Sequence, residues 1–336
     1  MDVLVIGGTG VISTEIVNRL FGDSCRVTVF NRGLRAIRYR AEPELLRGDK
    51  NDRASFIDTF RNRNFDAVID MISYNPEDAA LTLNALQDRA GHFIFTSTVA
   101  AYKRPLRTIP IRESDPLFDT PVVPYGYHKA QMERFLAEKM AGGIPITIIR
   151  PSLTYGIGCA NIGVMRNNYG IVRRIREKKP IVVFGDGTNP WSWTFAPDLA
   201  KAYSGVLCRP ACFGQAYHAV NDERRMWDDL YLEFGRLIGE EPRLIHISTE
   251  MLMAAAPDVF SHVREEKMYA GIYDSTKINR DVPEFVCSYK LKDIIGAVYE
   301  WYTRDAGARA IDEQKDLLED SIAEKYCRCL SIMKEG

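Results

Sequence analysis

The chain has 336 residues, of which 46% are hydrophobic and 26% charged, and its formal net charge is −1. That balance excludes an intrinsically disordered polymer and gives no overall electrostatic drive toward nucleic acid or an anionic membrane. Seven cysteines with no C-x-x-C spacing and five scattered histidines with no H-E-x-x-H form no metal-ligand pattern, so no metal is expected and a reduced, cytoplasmic setting is read from the free thiols. No apolar run approaches the roughly 18 residues of a membrane span, and MDVLVIGG lacks the basic opening of a signal peptide, so no membrane contact is expected. The length suffices for two lobes.

DVLVIGGTGVISTEIVNRLF runs from a β-branched strand through glycines into a helix with apolar residues at Ile12, Ile16, Val17 and Leu20. Glycines between a strand and a helix let the backbone approach a pyrophosphate, which sits on the amide-rich helix N-terminus. The spacing Gly7, Gly10, Ser13 follows G-x-x-G-x-x-G with serine in the third place, and Gly7, Gly10, Val11 and Ile12 are read as the phosphate cradle; the alternative is a purely structural turn. The next strand, CRVTVFNRG, ends at Asn31 and Arg32, where an acidic residue would hold a ribose 2′-hydroxyl and an arginine suits a 2′-phosphate. With Arg35 and Arg38 nearby, NADP is favoured over NAD, the competing reading being a solvated basic loop.

LLRGDKND carries Asp49 at the end of a third strand, FDAVIDMIS (65–73) brings Met71 to the end of a fourth, and HFIFTST (92–98) is a fifth. Asp49 and Met71 complete the expected cofactor set. Strands alternating with helices predict an α/β fold with a doubly wound parallel sheet. The sheet lobe is expected over 1–157 with returning segments near 180–222, including the strand in KPIVVFGDG. A second lobe is expected over 158–178 and 223–310, and a helical tail over 311–336.

GGTGVIS, NRG, RGDKND, FIFTSTVAAY, PYGYHKAQMERFL and ITIIRPSLTYGIG follow, in order, the motifs of the extended short-chain dehydrogenase/reductase superfamily, the group of sugar-nucleotide epimerases, dehydratases and related reductases. The resemblance continues through FGDG at 184–187, Asp198 in FAPDLAKAY and STKINRDVPEF at 275–285. It implies a Rossmann domain with a smaller α/β substrate lobe. It further implies an NAD(P)-dependent epimerase or reductase acting on a hydroxyl or keto carbon of a small sugar or sugar-nucleotide-like substrate. Thr98, Tyr125 and Lys129 match the catalytic positions: Tyr125 as acid/base, Lys129 as its electrostatic partner and ribose ligand, and Thr98 as orienter of the substrate oxygen. A homodimer through the helix carrying Tyr125 and Lys129 is carried over in the same way.

A tyrosine four residues before a lysine occurs twice, at Tyr125/Lys129 and Tyr273/Lys277. A free phenol, with a pKa near 10, is a poor base at neutral pH, and a neighbouring ammonium one helical turn away lowers it. Tyr127 has Gln131 at that offset, and Tyr273/Lys277 lies where the resemblance puts the substrate lobe, so Tyr125/Lys129 is the expected pair. Ser97, on the opposite pleat from Thr98, is the lesser candidate for orienter.

Two departures from the family pattern narrow the chemistry. Val99 and Ala100 stand where 4,6-dehydratases carry an Asp-Glu pair, which argues against dehydration. Trp191 stands where epimerases put the arginine that grips a nucleotide diphosphate, leaving Arg166, Arg224 or Arg264 to supply charge. Trp191 and Trp193 are read either as a stacking surface for a ligand or as plain packing. The basic stretch IVRRIREKK (171–179) is read as the solvated face of an amphipathic helix, or as an anion or RNA patch, because atypical members of the superfamily bind RNA. An RNA-binding or non-catalytic NADP-binding protein is therefore the alternative, although nucleic acid is not the expected partner. In the tail, Leu317, Leu318, Ile322 and Leu330 predict a helix for packing or self-association.

Overall fold

The computed structural model describes residues 1–35, 39–159 and 162–335. Arg38, one of the expected basic residues beside the cofactor, lies outside the described residues. The chain divides into two compact units, the first comprising Met1–Thr154, Thr194–Asp222 and Tyr273–Ser288, the second Tyr155–Trp193, Glu223–Ile272 and Tyr289–Gly336.

The first unit is built on β1 (Asp2–Ile6), α1 (Val11–Gly22), β2 (Arg26–Asn31), β3 (Glu44–Arg47), α2 (Arg53–Thr59), β4 (Ala67–Asp70), α3 (Pro76–Leu86), β5 (Phe93–Thr96), α4 (Pro124–Ala141) and β6 (Ile146–Pro151). The strand Gln215–Ala219 joins them in a seven-stranded sheet whose order is Gln215–Ala219, β6, β5, β4, β1, β2, β3, with every pairing parallel. Both faces of such a sheet are covered, and the sequence shows why: successive β1 residues enter opposite cores. Val3 and Val5 pack with Ile16, Val17 and Leu20 of α1 and with Leu199 and Val206 of the helix Ala196–Val206. Leu4 and Ile6 pack on the other side with Phe56, Phe60, Leu83 and Leu136. Phe30 meets Phe56 edge-on at 5.1 Å between ring centroids.

Chain order reverses at β1, with β2 and β3 on one side and β4 to β6 on the other. That is the topological switch point at which open α/β sheets hold ligands, outside the carboxyl ends of the strands. Gly7, Met71 and Thr96 all stand at those ends.

Two placements differ from expectation. The segment Tyr273–Ser288, expected in the substrate lobe, belongs to the first unit, where Lys277 donates to the Ala216 carbonyl at 2.9 Å. The strand Pro180–Phe184, expected to return to the first unit, pairs in parallel with Arg243–Ile247 inside the second.

The second unit also settles the basic stretch. Its helix, Tyr169–Arg176, buries Ile171, Val172 and Ile175 as the spacing predicts; Arg176 and Lys178 are exposed, but Arg173, Arg174 and Lys179 are committed to ion pairs. Arg174 is 1% exposed and donates to Asp316 at 3.0 Å and Asp320 at 2.7 Å of the terminal helix Glu313–Glu335. Arg173 pairs with Glu313 and Asp316 at 2.9 Å, and Lys179 with Asp320 at 3.0 Å. The terminal helix correspondingly buries Asp316, Glu319, Ile322 and Ala323, whereas Leu317 and Leu330, expected on its apolar face, are exposed. A row of acids matched to Arg174 outcompetes the apolar spacing because an arginine buried unpaired would cost several kcal/mol. Among the described residues no helix is long and apolar enough to cross a membrane.

Removing one partner from a buried ion network leaves the others uncompensated. Arg174→Met is expected to destabilise the protein by about 3–5 kcal/mol, whereas Lys178→Met, whose side chain is 73% exposed, should change stability by less than about 1 kcal/mol. Urea unfolding midpoints of the two variants check the contrast.

Candidate active site

The turn after β1 brings backbone, not side chains, to the switch point. Gly7 has φ +115, and a Cβ there would lie 3.0 Å from Ile72 Cγ2 and 3.2 Å from Met71 Cβ, so only glycine lets this turn pack on the end of β4. Ser13, in the place of the third motif glycine, is buried and accepts the Gly10 amide at 2.9 Å, acting as a local cap of α1. Val11 and Ile12 are the first two residues of α1, whose amides no helical carbonyl can reach. Tyr39, which no sequence signal singled out, donates to the Gly8 carbonyl at 3.0 Å and so braces the loop from the segment after β2.

At the end of β2, Asn31 Oδ1 accepts the Gly33 amide at 2.7 Å, while its Nδ2 is buried with no partner among the described residues. Arg32 and Arg35 are exposed beside it. Asp49 Oδ1 accepts the Asn51 amide at 2.9 Å, and the Met71 sulfur takes the Thr96 hydroxyl at 3.0 Å. A glycine cradle that a Cβ would fill, two free helix amides, a buried donor without a partner and two exposed guanidinium groups fit a dinucleotide.

Tyr125 and Lys129 lie one turn apart on α4. The helix begins at Pro124, and Gly126 lets its first turn approach the segment after β5: a Cβ there would lie 2.4 Å from the Ala100 carbonyl oxygen. Tyr125 is 49% exposed, with its ring 6.3 Å from that of Tyr74. Lys129 is buried; its ammonium donates to the carbonyls of Ser73 at 2.6 Å and Thr96 at 2.7 Å and stands 4.8 Å from the centre of the Tyr74 ring. Burial pushes this ammonium down to about 8, against the opposing pull of Asp70 and Glu133. Two of its three hydrogens are thus committed to carbonyls, leaving one for a ligand.

The two hydroxyls after β5 part ways. Ser97 is buried and donates inward to Glu133, which also receives Arg150 Nε at 3.0 Å. Arg150 in turn donates to Tyr102 Oη at 2.6 Å, and Tyr102 bonds His218, a ring kept neutral by burial that pushes it down to about 4. Thr98 is half-buried, and its Oγ1 accepts the Ala100 amide at 3.1 Å, which leaves its own proton to donate elsewhere. Of the second pair, Tyr273 is buried beside Tyr102 and Val220, and Lys277 is turned to a backbone carbonyl.

In the second unit the choice left open for Trp191 falls to packing. Its ring is fully buried, lies 5.9 Å from that of Trp227, carries the Lys267 ammonium at 4.6 Å and is so close to Gly271 that a Cβ there would be 2.4 Å away. Trp193 is likewise buried, its ring 5.4 Å from that of Trp227, and neither indole offers an open face. Arg166, Arg224 and Arg264 are exposed in the same unit.

The model of the NAD-dependent epimerase/dehydratase family matches residues 3–218, well over half of the chain. This chain belongs to that family. Its curated relatives include the 2′-dehydrokanamycin reductase of Streptomyces kanamyceticus, 22% identical over 286 residues that span 85% of this chain and 80% of the reductase. A UDP-glucose 4-epimerase of Lactobacillus helveticus is 31% identical over 170 residues, 45% of this chain and 51% of the epimerase. Among solved structures, the UDP-glucose-4-epimerase of Stenotrophomonas maltophila with bound NAD superposes with a TM-score of 0.76 at 18% identity, covering 92% of this chain and 99% of the epimerase. The family member described here is accordingly an NAD(P)-dependent enzyme of the extended short-chain dehydrogenase/reductase type with a Rossmann-like sheet.

An ammonium titrating near 8 is charged below that pH and neutral above it. In the ligand-free enzyme, Lys129 is expected to show a midpoint of about 8 by NMR of lysine labelled with ¹³C at Cε, well below that of exposed lysines near 10.4.

Proposed function

We propose that this family member oxidises or reduces a carbinol or keto carbon of a sugar or sugar-nucleotide-like substrate, with Tyr125 as acid/base, Lys129 as its electrostatic support and Thr98 as orienter. The observation that carries the reading is Lys129 itself: a buried ammonium, anchored on two carbonyls at the ends of β4 and β5, one turn along α4 from an exposed phenol. When bound, the nicotinamide supplies hydride transfer to or from the substrate carbon. Tyr125 takes the hydroxyl proton as the carbinol is oxidised and gives it back as the ketone is reduced. The Lys129 charge favours the phenolate that the first of these steps requires. Thr98, its oxygen already bonded to the Ala100 amide, directs its proton at the substrate oxygen. Relatives named for a reduction and for a 4-epimerisation support both a net redox step and one that returns the hydride. Val99, buried after Thr98, and Ala100 carry no acid or base for dehydration.

NADP is the proposed cofactor, with NAD as the alternative: Arg32 and Arg35 suit a 2′-phosphate, and no carboxylate ends β2 to take the ribose hydroxyl in its place. We assign the cofactor to the first unit and the substrate to the second, and a homodimer through α4.

Tyr125→Phe keeps the ring and removes the proton carrier. Turnover is expected to fall by about 10²–10⁴-fold while the Kd of NADPH stays within a few-fold; undiminished turnover overturns the mechanism. Arg32→Glu is expected to weaken NADPH binding far more than NADH binding, as read by fluorescence titration, and an equal effect on both would refute the 2′-phosphate role.

A further inference from the structure

A buried ion pair between Lys50 and Asp70 lies beside Lys129. Lys50, next to Asp49 after β3, is 7% exposed, and Asp70, closing the apolar strand β4, is 1% exposed. Lys50 Nζ donates to Asp70 Oδ2 at 2.8 Å and to Ser73 Oγ at 2.7 Å. Asp70 Oδ2 also accepts Thr82 Oγ1 at 2.6 Å and Ser73 Oγ at 2.8 Å, and Oδ1 accepts the amides of Ile72 and Ser73, both at 2.9 Å.

A pair of this kind adds little stability over well-packed apolar residues, because desolvating two ions offsets their attraction. Its geometry points to a different use. The Asp70 carboxylate binds the two amides and the hydroxyl that define the Met71–Ser73 turn, and Lys50 ties the same hydroxyl from the other side. Held by its amide and its side chain, Ser73 presents its carbonyl to Lys129 at 2.6 Å, while the second anchor, the Thr96 carbonyl, is set by β5. Resting on the role proposed above for Lys129, we propose that Lys50, Asp70 and Ser73 are positioning residues that fix the Lys129 ammonium before any ligand arrives. The charged and titratable groups around that ammonium are Asp70 and Lys50 below it, Asp78 from α3, Glu133 from α4, and the rings of Tyr74 and Tyr125. Lys50 and Asp70 act on it with opposite sign, so what the pair contributes is the fixed turn more than a net charge.

The test follows the Lys129 titration by Cε-labelled NMR in ligand-free Asp70→Asn and Ser73→Ala, with folding checked by circular dichroism. Ser73→Ala changes no charge and keeps the carbonyl, so it isolates positioning from electrostatics and serves if Asp70→Asn fails to fold. The Lys129 midpoint is expected to fall by on the order of 0.5–1 pH unit in each variant as the ammonium loses a fixed acceptor. The alkaline limb of the pH profile of kcat/KM should move to lower pH by the same amount. A midpoint unchanged in folded Ser73→Ala overturns the proposal. Midpoints that move as expected, together with a Lys129→Met variant of undiminished turnover, would uphold the positioning role and overturn the catalytic one.

Discussion

Parallel pairing of β1 with both β2 and β4 is the constraint on which the candidate site depends. Because the chain leaves β1 toward one edge and later resumes on its other side, the carboxyl ends of β1, β2, β4 and β5 are brought together at the switch point. Each strand end then delivers a different chemical element to one place: the Gly7 turn and the α1 amides, the Asn31–Arg32 pair, the Met71–Ser73 turn, and Thr98. The cost of the arrangement is a sheet whose central strands have two buried faces, which explains why β1, β2, β4, β5 and β6 are rich in valine, isoleucine and phenylalanine.

Buried charge is used in both units, and to different ends. In the first, α4 is pinned at two levels, by Lys129 on backbone carbonyls and, one turn later, by Glu133 on Arg150 and Ser97. Anchoring the helix at the turns after Tyr125 leaves the phenol exposed at its mouth. In the second, Arg174 and its neighbours bind the terminal helix through Asp316, Glu319 and Asp320. Burial pushes the Glu319 carboxyl up to about 7, the mark of an acid drawn deep into the interior beside that arginine. A segment read as a solvated helix face, or alternatively as an anion or RNA patch, thereby spends Arg173, Arg174 and Lys179 on an internal fastening.

The departures from the family pattern acquire physical meaning in the same way. Ser13 replaces a motif glycine without blocking the cradle because its hydroxyl turns back on the Gly10 amide. Trp191 replaces an arginine and is absorbed into an aromatic cluster with Trp227, its face covered by the Lys267 ammonium. That ammonium is itself paired with Glu266, so the charge near Trp191 is balanced from within.

The sequence by itself determined the fold class, the strand-turn-helix opening, the family and the Tyr125/Lys129 register, because each rests on patterns legible along the chain: glycine spacing, apolar period, an i, i+4 offset and the order of short motifs. Only the tertiary structure decided that Ser97 turns inward to Glu133 while Thr98 accepts the Ala100 amide, that Tyr273–Ser288 belongs with the sheet, and that Trp191 packs. It alone paired Lys50 with Asp70 and Arg174 with acids more than 140 residues away. The reason is physical: local periodicity reports which side of an element faces inward, but not what waits there. For a buried ion, the partner, and not the period, sets whether burial is tolerated.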